Sequence, residues 1–428
     1  MPGAGGRSGG AVPRLPRLNP EYHRRVLPYL VVFGVSAGVT FLATPPVRRL
    51  AVRFGWVDHP SDRKVHPRPT PTAGGLAMFL GAAAALGVAR TLPALEPLRR
   101  ASSELEATAL AALVVVLVGL VDDVRGLSAA GKLAGQVLAA GLLVLAGVQL
   151  LYFYFPGQGV LSLSPDLAVP LTVLWVTAMV NAVNLIDGLD GLAAGMVAIG
   201  AASFFVYLVF GPTAAAEPSS AAVLSAIAAG AALGFLPWNT HPARVFMGDT
   251  GSGLLGVLMA AATIAGVGRN PFGPSGGDVA AIAIPVALPL LVLAIPFLDV
   301  LLAILRRMRR GIGIHHADKD HIHHRLMDIG HSHRQAVLLM YLWSALISGC
   351  ALAVAFIDGR VLVLGIVVAA ALLAAVLPRL LRDRAPRGSD APGVPTAGSA
   401  STPPVAGQGE EGGRMPSSGV AGGGTAAG

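Results

Sequence analysis

Residues 167–210 read LAVPLTVLWVTAMVNAVNLIDGLDGLAAGMVAIGAASFFVYLVF. Two apolar runs, Leu167–Val183 and Leu192–Phe210, each approach the ~20 residues that a helix needs to cross the hydrocarbon of a bilayer. Between them stands Asn184-Leu-Ile-Asp187-Gly-Leu-Asp190-Gly191. An acid at the centre of a spanning helix costs about 2.5–3.5 kcal/mol, so Asp187 and Asp190 belong at a membrane face, where the chain turns back. The stretch reads as two spanning helices joined by a polar hinge.

The rest of the chain follows the same pattern. Of 428 residues 54% are hydrophobic and only 13% charged, against about 25% charged in soluble domains, and the mean hydropathy is +0.67. Too few charges are present to cover a water-facing surface, so the fold class is an all-α integral membrane protein. About eleven spans are expected: Leu27–Thr44, Gly74–Leu92, Ala107–Val121, Leu133–Tyr152, Leu167–Val183, Leu192–Phe210, Ala221–Trp238, Ser252–Val267, Val279–Leu305, Ala336–Ile357 and Val361–Leu377. The ninth holds Pro285, Pro289 and Pro296 and is expected to be kinked or broken. The first is expected to be a true span, since no small-residue cleavage pattern follows it. Residues 27–380 thus form one transmembrane domain. Residues 1–26 and 385–428 are rich in Gly, Pro, Ala, Ser and Arg and bury too little apolar surface to offset chain entropy, so both are expected to be disordered. The single cysteine, Cys350, lies in an apolar run and excludes a disulfide framework.

An odd number of spans puts the termini on opposite faces. The loops after spans 1, 3, 5, 7 and 9, with the C-terminal tail, then carry most of the 31 Lys and Arg residues, which makes that face cytoplasmic. Arg7, Arg14, Arg17, Arg24 and Arg25 resist this and fall on the other side. The net charge of +8 is read as loop and headgroup charge, not as a nucleic-acid surface.

That face also gathers the chemistry: Arg63–Gly75, Asp122-Asp123, Asn184–Asp190, Trp238–Gly253 and His315–His333. Adjacent carboxylates at Asp122 and Asp123 repel unless a cation or proton lies between them, which suits Mg²⁺ or base chemistry. They also fit a helix that simply stops at the headgroups, although two negative charges oppose the dipole at a helix C-terminus. Gly188 and Gly191 let backbone amides approach a ligand beside Asp187 and Asp190; a plain hinge is the bland alternative. Phe246-Met-Gly-Asp249-Thr-Gly-Ser-Gly253 leads into span 8, and its helix-start amides are expected to face an anion such as phosphate. It has no Walker lysine. His321-Ile-His323-His324-Arg325 sits in a long loop with His315, His316, His331 and His333, and histidine serves phosphate, proton or metal. Arg306, Arg307, Arg309 and Arg310 read as headgroup anchors. Acids for Mg²⁺, donors for phosphate and lipid-facing helices together point to phosphoryl transfer.

The same motifs, in order, resemble the polyprenyl-phosphate N-acetylhexosamine-1-phosphate transferases, the superfamily that includes phospho-N-acetylmuramoyl-pentapeptide transferase. The segments that carry the resemblance are His66-Pro-Arg-Pro-Thr-Pro-Thr-Ala-Gly-Gly75, Val-Asp122-Asp123, Asn181-Ala-Val-Asn184-Leu-Ile-Asp-Gly-Leu-Asp-Gly191, Asn239-Thr-His-Pro-Ala-Arg-Val-Phe-Met-Gly-Asp249 and His321-Ile-His-His-Arg-Leu326. The resemblance implies eleven helices, a cytoplasmic site in a bacterial plasma membrane, and transfer of a sugar 1-phosphate from a UDP-sugar to a polyprenyl phosphate with release of UMP. It implies Mg²⁺, with Mn²⁺ as a substitute ion. It casts Asp249 and Asp123 as metal ligands, Asp122, Asp123 and Asp187 as catalytic acids, and His323 and His324 as catalytic groups toward the phosphates. Asn184, Leu189, Asp190 and Phe246 fall on the uridine side with Asn239 nearby, and Lys132, His321 and Arg325 on the substrate side. A homodimer is a family-level expectation. Direct attack by the lipid phosphate on the β-phosphorus is preferred, and a covalent aspartyl intermediate stays open.

The His-Ile-His-His-Arg-Leu pattern resembles the branch that uses UDP-N-acetylglucosamine and primes a cell-envelope polysaccharide such as a teichoic acid, arabinogalactan or O-antigen. The alternatives are the pentapeptide-transferring branch and, from another class, a proton-coupled secondary transporter. Carriers place their acids near the midplane in related halves, whereas these acids gather at one face.

Overall fold

A computed structural model of the chain describes residues 20–58, 60, 68–155, 159–211, 214, 217–268 and 332–356. All of these belong to one compact unit, Met1–Ala369. Its helices are α1 (Pro20–Phe54), α2 (Gly75–Thr91), α3 (Glu96–Ala101), α4 (Glu104–Arg125), α5 (Ala129–Leu145), α6 (Pro165–Ile186), α7 (Leu192–Phe210), α8 (Ser220–Asn239), α9 (Gly248–Thr263) and α10 (His333–Phe356). Among the described residues seven helices are long and apolar enough to span a membrane, and an eighth span results if α2 is joined to the segment Pro93–Ala101, bent from it by 87°. The expected spans Val279–Leu305, with its three prolines, and Val361–Leu377 lie outside the described residues. So do His315, His316, His321, His323, His324, Arg325, His331 and the tail 385–428.

Two boundaries differ from the sequence reading. The expected span Leu133–Tyr152 begins earlier and stops earlier: the Ser128 hydroxyl accepts from the Gly131 amide and starts α5, a serine N-cap that satisfies an otherwise orphaned donor. The aromatic run Tyr152–Phe155 leaves the helix to pair, antiparallel, with Gly159–Ser162 in a hairpin (β3 and β4), as residues of high strand propensity do. α1 likewise opens at Pro20, inside the stretch 1–26 expected to be disordered; proline suits a first helical turn because its missing N–H has no intrahelical partner there.

Small residues hold the bundle together. α8 and α9 lie at its centre and are rich in Ala, Gly and Ser, whereas large apolar side chains such as Leu42, Leu117, Leu145 and Leu174 point outward. Lipid is as apolar as leucine, so burying leucine gains little and close backbone packing decides the interface. Polar contacts cross it at intervals: Ser36 Oγ donates to the Ile227 carbonyl at 2.9 Å, and Trp175 Nε1 donates to Thr263 Oγ1 at 2.8 Å. Each such bond is worth about 0.6 kcal/mol in a bilayer.

Alternating helix directions bring to one end the C-termini of α4, α6 and α8 and the N-termini of α2, α5, α7, α9 and α10. A short ribbon there (β1, Val57–Asp58, with β2, Thr70–Pro71) steers residues 70–75 alongside the segment that precedes α9. Phe246 N donates to the Pro71 carbonyl, and the Gly74 and Gly75 amides donate to the Phe246 and Met247 carbonyls, each at 2.9 Å. The His66–Gly75 motif therefore ends as a backbone splint for the entry into α9.

Gly234 of α8 faces α1 so closely that a Cβ would lie 2.3 Å from the Ala37 carbonyl oxygen, while nothing lies within 4 Å of a Cβ at Gly38. Gly234→Ala is expected to destabilise the protein by about 1–3 kcal/mol through overpacking. Gly38→Ala, in the exposed middle of α1, is expected to be neutral or slightly stabilising. Thermal unfolding of the two variants in detergent checks the difference; equal midpoints would refute the small-residue seam.

Candidate active site

The site begins with α9. Gly248 takes a left-handed backbone at φ +69°, and a Cβ there would fall 2.3 Å from the Asp123 carboxylate, so only glycine fits. This close approach lets Asp123, near the end of α4, close the N-terminus of α9. Its Oδ1 accepts from the Asp249 amide at 2.8 Å, and its Oδ2 accepts from the Thr250 amide at 3.2 Å and the Thr250 hydroxyl at 2.6 Å. The helix-start amides expected to face phosphate thus already hold an anion, one the chain supplies itself. Gly119, one turn back on α4, has room for no Cβ against the Thr250 backbone at 2.6 Å, and so keeps the two helices in register.

Asp249 is aimed from that first turn. Lys132, near the start of α5, places its Nζ 2.6 Å from Asp249 Oδ2 and 2.6 Å from Asp122 Oδ2, so one ammonium bridges two carboxylates. Asp122 Oδ1 accepts from the Leu127 amide at 2.7 Å. Asn184, in the last turn of α6, donates from Nδ2 to Asp249 Oδ1 at 2.7 Å and to Ser252 Oγ at 3.1 Å. Asn184 therefore stands with the acids. Oxygens of Asp122, Asp123 and Asp249 lie within 4.8 Å of one another, and the lysine already marks a point between two of them where positive charge is held. Hard carboxylate oxygens at this spacing suit Mg²⁺ or Mn²⁺. Asp122 and Asp249 have oxygens that could turn from Lys132 to an ion, whereas Asp123 spends three lone-pair positions on α9.

Asp187 lies just past α6. No donor among the described residues meets its carboxyl. Burial pushes its pKa well above the ordinary carboxylate range, and the charges of Asp123, Asp249 and Asp190 push it further. It thus feels both the acid cluster and a second polar group on the far side of the loop.

That second group centres on Asp190. Its Oδ2 accepts from the Ala243 amide at 3.0 Å and lies 2.7 Å from His241 Nδ1. Asn239 is buried and braces the same region: its Oδ1 accepts from the Gly191 amide and its Nδ2 donates to the Val245 carbonyl, both at 3.0 Å. Leu189 is buried and Phe246 half-buried. The structure therefore collects Asp122, Asp123, Lys132, Asn184 and Asp249 in one cluster and Asp190, Asn239 and His241 in another, joined through Asp187.

Several residues of the site were given no role of their own in the sequence reading. Gln136 and Asn181 form a carboxamide pair at 2.7 Å, each one helical turn further into the bilayer than Lys132 and Asn184. With these two they line a cleft of about 40 Å³ between α4, α5, α6 and α9. Polar side chains inside apolar spans were the available signal. Thr250, Ser252 and His241 stand within the motifs, but their partners, like that of Arg334, arise only from packing.

Comparison with known proteins follows this geometry. The profile described as glycosyl transferase family 4 matches residues 105–267. A decaprenyl-phosphate N-acetylglucosaminephosphotransferase of Mycolicibacterium smegmatis is 42% identical over 85% of this chain and 91% of its own length. A probable undecaprenyl-phosphate N-acetylglucosaminyl 1-phosphate transferase of Bacillus subtilis is 36% identical over 74% of this chain and 82% of its own. A phospho-N-acetylmuramoyl-pentapeptide-transferase of Desulforudis audaxviator is 39% identical over 56% of this chain and 76% of its own.

The raised pKa of Asp187 has a consequence for stability. The folded protein holds this proton to higher pH than the unfolded chain, whose aspartates titrate near about 3.9. Its contribution is complete below that value and is lost as pH rises through the folded pKa. Asp187→Asn, which cannot ionise, is expected to melt a few degrees above wild type at pH 7–8 in metal-free detergent, with the gap closing toward pH 4. A lower or pH-independent difference in unfolding midpoint would contradict the charge crowding.

Proposed function

The chain belongs to glycosyl transferase family 4, among the polyprenyl-phosphate N-acetylglucosamine-phosphotransferases, and from that premise we propose that it transfers N-acetylglucosamine 1-phosphate from UDP-N-acetylglucosamine to a polyprenyl phosphate. The products are polyprenyl-diphospho-N-acetylglucosamine and UMP. The observation that carries this reading is the Lys132 bridge between Asp122 and Asp249 at the head of a polar cleft sunk among spanning helices. Both a water-borne diphosphate and a lipid-borne phosphate need cationic and amide donors, and they must meet at a membrane face.

In this reading an oxygen of the lipid phosphate attacks the β-phosphorus of the UDP-sugar, and the bond to the α-phosphate breaks to release UMP. Mg²⁺ held by Asp249 with the neighbouring acids would supply charge neutralisation of the diphosphate. Lys132, whose ammonium lies between Asp122 and Asp249, would offer it to a phosphate oxygen of the substrate. Asp122 orients the attacking phosphate or takes its proton. Asp123 reaches the reaction chiefly through α9, whose first turn it fixes and which aims Asp249. Asn184 holds Asp249 from the other side. Asp187, whose ionised form is disfavoured by its neighbours, is a proton-holding group between the diphosphate and nucleoside ends. His321, His323, His324 and Arg325 complete the phosphate contacts. In this reading the site faces the cytoplasm, where UDP-sugars are made; the excess of Lys and Arg in the loops of that face supports this orientation.

The sugar assignment rests on the longer match to N-acetylglucosamine-phosphotransferases than to the pentapeptide transferase, together with the His-Ile-His-His-Arg-Leu pattern. Purified protein with polyprenyl phosphate and Mg²⁺ is expected to release UMP from UDP-N-acetylglucosamine and not from UDP-MurNAc-pentapeptide. Asp249→Asn is expected to abolish release, and Lys132→Ala to lower kcat at least about 100-fold, the scale for losing a preorganised charge-stabilising donor. UMP from the pentapeptide substrate would overturn the sugar assignment, and near-wild-type turnover by the Asp249 variant would remove it from the metal site.

A further inference from the structure

The end of the bundle that gathers the acids also holds arginines with no acid beside them. Arg48, near the end of α1, and Arg244, in the loop between α8 and α9, are exposed and form no ion pair among the described residues. The opposite end is arranged otherwise. There Arg90 pairs with Glu106 at 2.7 Å, and Arg99 and Arg100 pair with Glu96 at 3.5 and 2.6 Å.

The two unpaired arginines are held together by neighbours that are themselves fixed. Arg48 Nε donates to the Arg244 carbonyl at 3.2 Å, and its two terminal nitrogens meet no acceptor among the described residues. The Arg244 guanidinium lies over the Trp238 ring, 5.7 Å from its centroid, within cation–π range. Pro45, inside α1, has no N–H to offer the Phe41 carbonyl one turn earlier. Trp238 Nε1 donates to that carbonyl instead, at 3.2 Å, and the Phe41 and Trp238 rings lie 5.4 Å apart. The loop is closed by the Arg244 amide, which donates to the Trp238 carbonyl at 2.9 Å. It is tied to α10 by Arg334, whose Nη2 donates to the His241 carbonyl at 3.1 Å.

Two cations set side by side repel unless an anion lies between them, and guanidinium forks match the oxygens of a phosphate. About two turns deeper along α1, Phe41 and Leu42 are exposed at 42% and 71%. A cationic rim above an apolar flank fits an amphiphile with an anionic head, and tryptophan is a residue of the membrane interface. A soluble phosphate would leave the apolar flank unused. The patch also stands apart from the polar cleft: α1 packs on α2 and α8, whereas the cleft lies between α4, α5, α6 and α9.

We propose that Arg48 and Arg244, set on Trp238, bind the phosphodiester of an anionic glycerophospholipid whose acyl chains run along Phe41 and Leu42 of α1. Basic pockets between spanning helices hold anionic headgroups in this way. The bound lipid bridges the end of α1 and the loop that leads into α9. It is a structural lipid, distinct from a polyprenyl phosphate, and its site is independent of the transfer reaction.

The test uses the full chain in detergent, titrated with dioleoylphosphatidylglycerol or dioleoylphosphatidylcholine. Native mass spectrometry counts the retained lipid, and the unfolding midpoint is followed in parallel. Wild type is expected to retain phosphatidylglycerol and to melt higher with it, and to do neither with phosphatidylcholine. Arg48→Gln/Arg244→Gln is expected to lower the affinity for phosphatidylglycerol about ten-fold, the size of one charge-assisted hydrogen bond. Arg53→Gln/Arg125→Gln, which removes two exposed charges of the same end from outside the patch, should leave that affinity within about two-fold, because such charges act only through a screened field. Should the first double variant fail to fold, Arg48→Gln and Arg244→Gln singly carry the test, each with a loss of about three-fold if the two contributions add. Equal retention of the two lipids by wild type, or equal losses in the two double variants, would reduce the patch to diffuse surface charge and overturn the proposal. Displacement of phosphatidylglycerol by equimolar polyprenyl phosphate would assign the patch to the substrate lipid and overturn it as well.

Discussion

The site depends on one carboxylate closing one helix. Asp123, at the end of α4, accepts from two amides and a hydroxyl in the first turn of α9. A helix N-terminus carries partial positive charge and orphaned donors, which need partners wherever packing withholds water. A side-chain anion resolves both, through charge-assisted bonds that are about twice as strong as neutral ones. The contact requires Gly248 to be left-handed and Gly119 to be bare. From it follow the direction of Asp249, the seat of Thr250 against α4, and the position of Ser252 under Asn184.

Charge then organises the rest. Asp122, Asp123, Asp187 and Asp249 crowd one end of an apolar bundle, and among the described residues Lys132 is the cation that meets them. A low-dielectric surrounding magnifies both the attraction and the repulsion. The lysine relieves the pair it bridges, while Asp187, outside its reach, keeps its proton more readily. Asp122, Asp123 and Asp249 each find donors within the protein, and of the four only Asp187 meets none among the described residues. Crowded carboxylates with perturbed titration of this kind are common at functional sites.

Membrane-spanning helices and the acids that gather at one end were legible in the sequence, for different reasons. Hydropathy is a local property, so Leu192–Phe210 emerged with the same ends in both readings. The span set at Leu133–Tyr152 shifted because a Ser128 cap and a strand-forming Tyr152–Phe155 run outweigh mean hydropathy at its ends. Asp122, Asp123 and Asp249 were legible as ordered motifs, but not their pairing, which joins residues more than a hundred positions apart. The amides at the start of α9 were expected to be open for phosphate; only tertiary structure reveals that Asp123 has taken them. His241 had no local signature, since its meaning comes from Asp190 on one side and α10 on the other.

The loop from Asn184 to Gly191 makes one machine of these parts. Its first residue holds Asp249, and its last is pinned by Asn239 and Tyr341 beside Asp190. The separation between the acid cluster and the Asp190 group is therefore fixed by a short, braced segment between α6 and α7, not by flexible side chains. In the proposed reaction, a substrate spanning both groups would have its reacting phosphorus placed by contacts made elsewhere on the molecule. Rate enhancement by such positioning is large when the reacting atoms are held at attack distance, and it suits phosphoryl transfer, where the protein contributes placement and charge more than covalent chemistry. The carboxamide pair of Gln136 and Asn181 extends the same logic into the bilayer. It extends the polar lining of the cleft one helical turn beyond Lys132 and Asn184.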